Sequence, residues 1–191
     1  SGDSGMICFR EQKHDAIVRK MSWLGISLDT FARTGGQGNA RYKWLYDVEY
    51  VGLKAHGNSL MAGICLVQLK HLDKDNKKRR ELADQYTKAL SKNPKIKLVP
   101  GVPGCESSQH LMQIRVPAQI RNELISHLNC KSIYPGVHYR INTDYDMYRY
   151  AQGTCPKAEM ASVEIISLPL HMRLETSDVE RVCTEILSFL G

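Results

Sequence analysis

The sequence predicts an α/β protein with two lobes, and three observations lead there. An apolar stripe at Met61, Ile64, Cys65, Leu69 and Leu72 keeps 3.6-residue periodicity from Asn58, and Leu82, Tyr86 and Leu90 carry it on to Asn93-Pro94. That pattern predicts one helix of about eight turns, which in a chain of this size would connect two lobes. Next, "KIKLVP", "HLMQIRV", "RNELISHLNC" and "SIYPGVHY" read as strand, strand, helix and a strand turning back, the order of a small α/β lobe. Finally, Val179, Val182, Cys183, Ile186 and Leu190 form one apolar face behind a capping box of Ser177 and Glu180. A terminal amphipathic helix is therefore expected to pack on that lobe. At 191 residues the chain can bury one substantial core or divide between a large and a small lobe.

Ahead of the stripe, "SGDSGMICF" places a Gly-rich turn before the apolar run Met6 to Phe9, which suits a buried strand. "EQKHDAIVRKMSWLG" sets Ile17, Met21 and Leu24 on one helical face, with Gly25 as the stop. Residues 29 to 55 are rich in Gly and aromatics and read as a long ordered loop. Gly35, Gly36 and Gly38 lack the GxGxxG spacing of a dinucleotide fingerprint.

Charge and cysteine usage narrow the function classes. The net charge is +6, but the dense basic cluster is confined to Lys77 through Arg80, beside Glu81 and Asp84, which reads as a solvated helix face with i,i+3 and i,i+4 pairs. No aromatics interleave with those charges, so a nucleic-acid surface is not expected. The six cysteines form no CxxC pair, and several fall in apolar runs. They read as buried, reduced thiols of a cytoplasmic protein that holds no metal. No stretch approaches the roughly 18 uninterrupted apolar residues of a membrane span, and without a charged-then-apolar pattern in the first residues export is not expected.

The segment that carries chemistry is His56-Gly57-Asn58-Ser59, at the start of the stripe. A helix N-terminus holds unpaired N–H groups and about half a positive charge, so Asn58 could simply cap the helix or could help hold an anion such as phosphate. Both readings use the same amides.

The run "HGNSLMAGICLVQLKHLDKDNKKRRELADQYTKAL" resembles the pyridoxal-phosphate-dependent nucleotide-sugar aminotransferases, the DegT family of fold-type-I enzymes. The matching positions are Asn58, Met61, Gln68, Leu69, Leu72, Asp73, Asn76, Arg79, Arg80, Ala83 and Tyr86. "GDSGMI" resembles the family's "GEGGMI", "GVHYR" its "GIHY" turn, and "CPKAEMASVEIISLPLH" its "P-AE…SLPLH" stretch, so the likeness runs through nearly the whole chain.

That resemblance implies the C-terminal part of a fold-type-I aminotransferase. Residues 1–75 would be the end of the large cofactor-binding domain and the start of the connecting helix, and residues 76–191 the small C-terminal α/β domain. In the family the Schiff-base lysine lies several residues before the Gly turn, so it is expected upstream of Ser1, and no residue here is assigned a catalytic role. Asn58 would bind the phosphate of pyridoxal 5'-phosphate in trans, across a homodimer interface. His138, Tyr139 and Asn142 would approach the nucleotide-sugar, although a packed turn accounts equally well for a His-Tyr pair. Leu60 stands where the family commonly has Arg or Asn, and Thr143 near where it often has His; both departures remove polar reach. Glu159 is expected to open a helix, where a carboxylate favours the dipole. The implied reaction moves an amino group from an amino acid such as glutamate to a nucleotide-linked keto-sugar. The alternative expectation is a non-catalytic partner that stabilises or regulates a full-length aminotransferase subunit.

Overall fold

The computed structural model of the chain describes residues 5–27 and 46–191. The glycine cluster at 35–38 and most of the opening Gly turn lie outside the described residues. Residues 1–70 and 71–191 form two compact units.

In the second unit, alternation of side chains builds a three-stranded antiparallel sheet, β1 (Lys97–Leu98), β2 (Met112–Arg115) and β3 (Ile165–Leu168), in the order β1-β2-β3. Met112 lies opposite Leu168 and Ile114 opposite Ile166, and all four are buried on one face. On a period of two, Gln113 and Ser167 are then partners on the other face. Helices cover the apolar side. Leu82, Tyr86 and Leu90 come from Leu72–Leu90, Leu124 and Leu128 from Ala118–Cys130, and Val179, Val182 and Ile186 from Thr176–Leu190. The wholly buried Tyr86 hydroxyl donates to the Pro169 carbonyl at 3.0 Å, and burial, with smaller effects from Cys183 and Asp178, pushes its pKa up.

The first unit contrasts with this. Its helix α1 (Gln12–Met21) closes with Ser22 as its cap, short of the expected stop, so Leu24 lies beyond the helix; Gly25, at φ 75°, sends its N–H back to the Lys20 carbonyl. Among the described residues of this unit, Ile26 is the only buried hydrophobic side chain. The helix α2 (Ser59–Leu69) buries no residue, and Leu60, Ile64, Leu66, Val67 and Leu69 are all exposed. A helix that is apolar around its circumference is normally covered all round.

Several expectations need correction. The long helix is interrupted at Lys70–His71: α2 stops at Leu69 and α3 starts at Leu72 and runs to Leu90. There the Lys70 N–H donates to the Val67 carbonyl at 3.2 Å, a tightened last turn. The interruption is short enough for the apolar phase to pass through it, which is why periodicity reads straight across. Met6 to Phe9 forms no strand, and Met6 and Ile7 are exposed. "SIYPGVHY" contributes only an isolated bridge between Gly136 and Ser167, and the third strand is Ile165–Leu168. The capping box of the terminal helix is Glu175 with Asp178, two residues before Ser177 and Glu180.

The remaining helices are α4 (Ala118–Cys130), α5 (Pro156–Glu164) and α6 (Thr176–Leu190). Glu159 stands in the first turn of α5 and accepts the Gly153 N–H at 2.8 Å. In the basic cluster, Lys77 alone makes the expected pair, reaching Glu81 at 3.9 Å, whereas Lys78 bridges to Glu175 and Arg80 to Glu106, at 2.9 and 2.8 Å. Among the described residues, no helix is long and apolar enough to cross a membrane.

The expectation of buried thiols holds for Cys183 only; Cys8, Cys65, Cys105, Cys130 and Cys155 are exposed and all six are free. Cys65 sits on the uncovered helix α2, Cys130 ends α4, and Cys155 caps α5. Burial, with Glu180 adding, pushes the Cys183 thiol from its ordinary 9.0 up to about 11. A thiol reagent at pH 8 is expected to label the other five cysteines and to reach Cys183 only on unfolding, as mass spectrometry would read directly. Because the folded pKa is the higher one, Cys183's contribution to stability is fully present below 9.0 and is lost as pH rises through about 11. Denaturation midpoints across that window should fall in the native protein and fall less in Cys183→Val.

Candidate functional site

Helix α2 begins at Asn58, whose extended backbone (φ −90°, ψ 164°) turns its side chain back over the first turn. Its Oδ1 accepts the Met61 N–H at 2.9 Å, and its carbonyl accepts the Ala62 N–H at 3.0 Å. Using Oδ1 as the cap leaves the Nδ2 group as an outward donor, and the Ser59 and Leu60 N–H groups have no partner among the described residues. Nothing lies within 4 Å of the place where a Cβ on Gly57 would stand. A cap and an anion site are therefore compatible here: the cap occupies one amide and one side-chain oxygen, and the remaining groups are donors without acceptors.

Behind this turn, His56 stacks on Trp23 with ring centroids 5.0 Å apart and planes at 16°, and Lys54 Nζ lies 5.7 Å from the same indole. The Trp23–Lys54 bridge holds the two segments side by side. Ile7, Phe9, Val18, Ser22, His56 and Gly57 help line a cleft of about 330 Å³. Trp23 Nε1 is buried without a partner among the described residues.

The other three candidate residues belong to the second unit and share one segment. The peptide between His138 and Tyr139 is cis. His138 Nδ1 lies 2.9 Å from Ser167 Oγ, and Gln113 Nε2 donates to the His138 carbonyl at 3.0 Å. Tyr139 is 73% exposed and stands edge-on to the His138 ring, centroids 4.9 Å apart. Asn142 is exposed and opens a 3-10 turn, its carbonyl accepting the Tyr145 N–H at 3.0 Å. Arg140 lies over the Tyr145 ring, 5.0 Å from its centroid. Tyr134, Tyr148 and Tyr150 are exposed on the same stretch, and Thr143 is buried with its hydroxyl unpartnered among the described residues. Sequence reasoning missed Gln113 and Ser167. The local signals were a polar residue between apolar neighbours in each of two strands, "MQI" and "ISL", and, for Ser167, its place in the "SLPLH" stretch. Among the described residues, no group of three or more His, Cys, Asp or Glu is gathered as a metal would require.

The model of the DegT/DnrJ/EryC1/StrS aminotransferase family matches residues 1–187. A dTDP-4-dehydro-2,3,6-trideoxy-D-glucose 4-aminotransferase of Saccharopolyspora spinosa is 28% identical over 186 residues, which cover 97% of this chain and 48% of that enzyme. Among solved structures, an aminotransferase of Streptoalloteichus hindustanus superposes with a TM-score of 0.80 at 29% identity, covering 96% of this chain and 47% of that one. A sugar aminotransferase of Streptococcus pneumoniae, solved in PMP and PLP forms, shares the fold at 24% identity. Its PMP form gives a TM-score of 0.76 and covers 90% of this chain and 43% of that one. The chain thus spans about half the length of the relatives it matches.

Proposed function

Because the chain belongs to the DegT/DnrJ/EryC1/StrS aminotransferase family, we propose that it forms the C-terminal portion of a pyridoxal-phosphate-dependent enzyme that transfers an amino group from glutamate to a nucleotide-linked keto-sugar. In this reading residues 1–75 end the large domain, residues 76–191 are the small domain, and the working unit is a cytoplasmic homodimer. The single observation that carries it is the donor set at the start of α2, where a capped Asn58 leaves Nδ2 and two backbone N–H groups without acceptors among the described residues.

Those donors fit a phosphate. Bound there, pyridoxal phosphate would supply the electron sink that lets an amino group leave one carbon and join another. The residues of this chain would bind and orient. Asn58 Nδ2 would donate to a phosphoryl oxygen of the partner protomer's cofactor, and the N–H groups of Ser59 and Leu60 would add the positive end of the helix. A carboxamide does not change charge near neutral pH, so this grip would be indifferent to the protonation changes of transamination. Tyr139 and Asn142, exposed on one segment, would meet the nucleotide-sugar beside His138. The lysine that carries the cofactor would belong to a part of the protein outside these 191 residues.

The second reading is a non-catalytic partner of a complete aminotransferase. It is favoured by Leu60, which is 82% exposed where the family commonly has a polar residue. One assay separates the two. The longer polypeptide containing this segment, given cofactor, glutamate and a nucleotide-linked keto-sugar, should release 2-oxoglutarate and amino-sugar in equal amounts. No turnover alone, together with increased turnover of a separately supplied homologous enzyme, would replace the first reading by the second.

A further inference from the structure

What His138 offers to a ligand depends on the groups around its ring. Gln113 and Ser167 are register partners on the face of the sheet away from the core. Ser167 is 3% exposed because Gly136 pairs with it, N–H to carbonyl in both directions, at 2.9 and 2.7 Å. Two residues on from that bridge, the His138 ring comes back over Ser167. A Cβ on Gly136 would stand 2.7 Å from His138 Cε1, so the ring lies flush on a residue that has none.

The hydrogens along this network have one arrangement in which the serine hydroxyl also finds an acceptor for its own hydrogen. A carbonyl only accepts, so the atom of Gln113 facing the His138 carbonyl is its nitrogen. The second hydrogen of that amide points to Ser167 Oγ, at 3.5 Å. Ser167 Oγ is thereby an acceptor from Gln113, and its own hydrogen has one acceptor within reach among the described residues, Nδ1 of His138 at 2.9 Å. In that arrangement Nδ1 keeps its lone pair, and a neutral imidazole would carry its hydrogen on Nε2, which has no partner among the described residues.

We infer that Gln113 and Ser167 are positioning residues that lock His138 as an Nε2–H donor, presented to an acceptor oxygen of the nucleotide-sugar. The lock stands on the hydrogen-bond geometry alone; the choice of ligand rests on the proposed function. Turned the other way, with hydrogen on Nδ1, the ring would offer a lone pair and repel the same oxygen.

Long-range nitrogen–proton NMR of the histidine-labelled chain, at a pH where the ring is neutral, reads the tautomer without any turnover. The His138 signals are identified by their loss in His138→Gln. Expected is the Nε2–H pattern alone in the native chain, a mixture of tautomers in Ser167→Ala, and return of the single pattern in Ser167→Thr. Gln113→Glu should move the population toward Nδ1–H, because a carboxylate would take the serine hydrogen. An Nδ1–H pattern in the native chain, or populations unchanged by both Ser167→Ala and Gln113→Glu, would overturn the lock. Thymidine diphosphate glucose is then added to the longer polypeptide. Displacement of the Nε2 resonance supports the ligand assignment; an unmoved resonance with the Nε2–H pattern intact overturns that assignment and leaves the lock standing.

Discussion

Ile114→Ala is expected to lower the stability of the second unit by about 2–5 kcal/mol, the range for truncating a buried aliphatic side chain to alanine. Ile114 is wholly buried in the middle strand, paired with Leu98 on one side and Ile166 on the other, beneath the helices of the apolar face. Neighbours on two strands and in the helical layer cannot all move in to fill the space, so most of the transfer and cavity cost should be retained. Val102→Ala is the internal comparison, because Val102 is exposed and its truncation should shift stability by no more than about 0.5 kcal/mol. Urea denaturation gives both values from midpoints at equal slope. Equal midpoints for the two variants would mean that the sheet is not packed as described.

The 191-residue chain on its own is expected to associate, and Leu66→Glu to weaken that association by at least about tenfold. Helix α2 exposes Leu60, Ile64, Leu66, Val67 and Leu69, and its unit has Ile26 as its one buried hydrophobic side chain among the described residues. Removing each such side chain from water contributes about 1.5–3 kcal/mol. A glutamate at position 66 would forgo that gain and add the cost of burying a carboxylate, well over the ~1.4 kcal/mol of a tenfold change. Sedimentation velocity across a concentration series should show mass rising with concentration for the native chain and much less for the variant. A native chain that stays monomeric throughout would show that α2 needs no cover, and would count against the dimeric enzyme.

How far the sequence reveals this molecule depends on the reach of each cause. The apolar face of α6 is legible because Val179, Val182, Ile186 and Leu190 repeat within one element. The end of α1 is legible only roughly: Gly25 is the local signal, but the helix closes at Met21 with Ser22 as its cap, and Leu24 lies beyond it. The break between α2 and α3 is hidden, because Leu69 and Leu72 keep the helical phase across it. β3 is hidden for a related reason: α5 ends at Glu164 and the strand starts at Ile165, with no turn residue between them. At the site, Gly57-Asn58-Ser59 before an apolar run announces a helix start with spare donors, a local pattern. The roles of Gln113 and Ser167 depend on the register of two strands 54 residues apart, as the separation of that pair shows. Single-sequence patterns carry no such information.

Whether Asn58 grips a cofactor phosphate with its amide nitrogen is decided by Asn58→Asp in the longer polypeptide. Aspartate keeps the oxygen that caps Met61, so helix content and thermal midpoint should stay close to native. What it loses is the donor, and it gains a negative charge facing the phosphate. A hydrogen bond to a charged group is worth about 1.5–3 kcal/mol, so the dissociation constant for pyridoxal phosphate should rise by roughly tenfold to a hundredfold. Asn58→Ala separates the two roles by removing the cap as well, at about 1 kcal/mol of stability. Equilibrium binding of the cofactor to dialysed protein decides the matter: a much weakened Asn58→Asp of native stability is the predicted result, and an Asn58→Asp that binds as tightly as the native protein would contradict it.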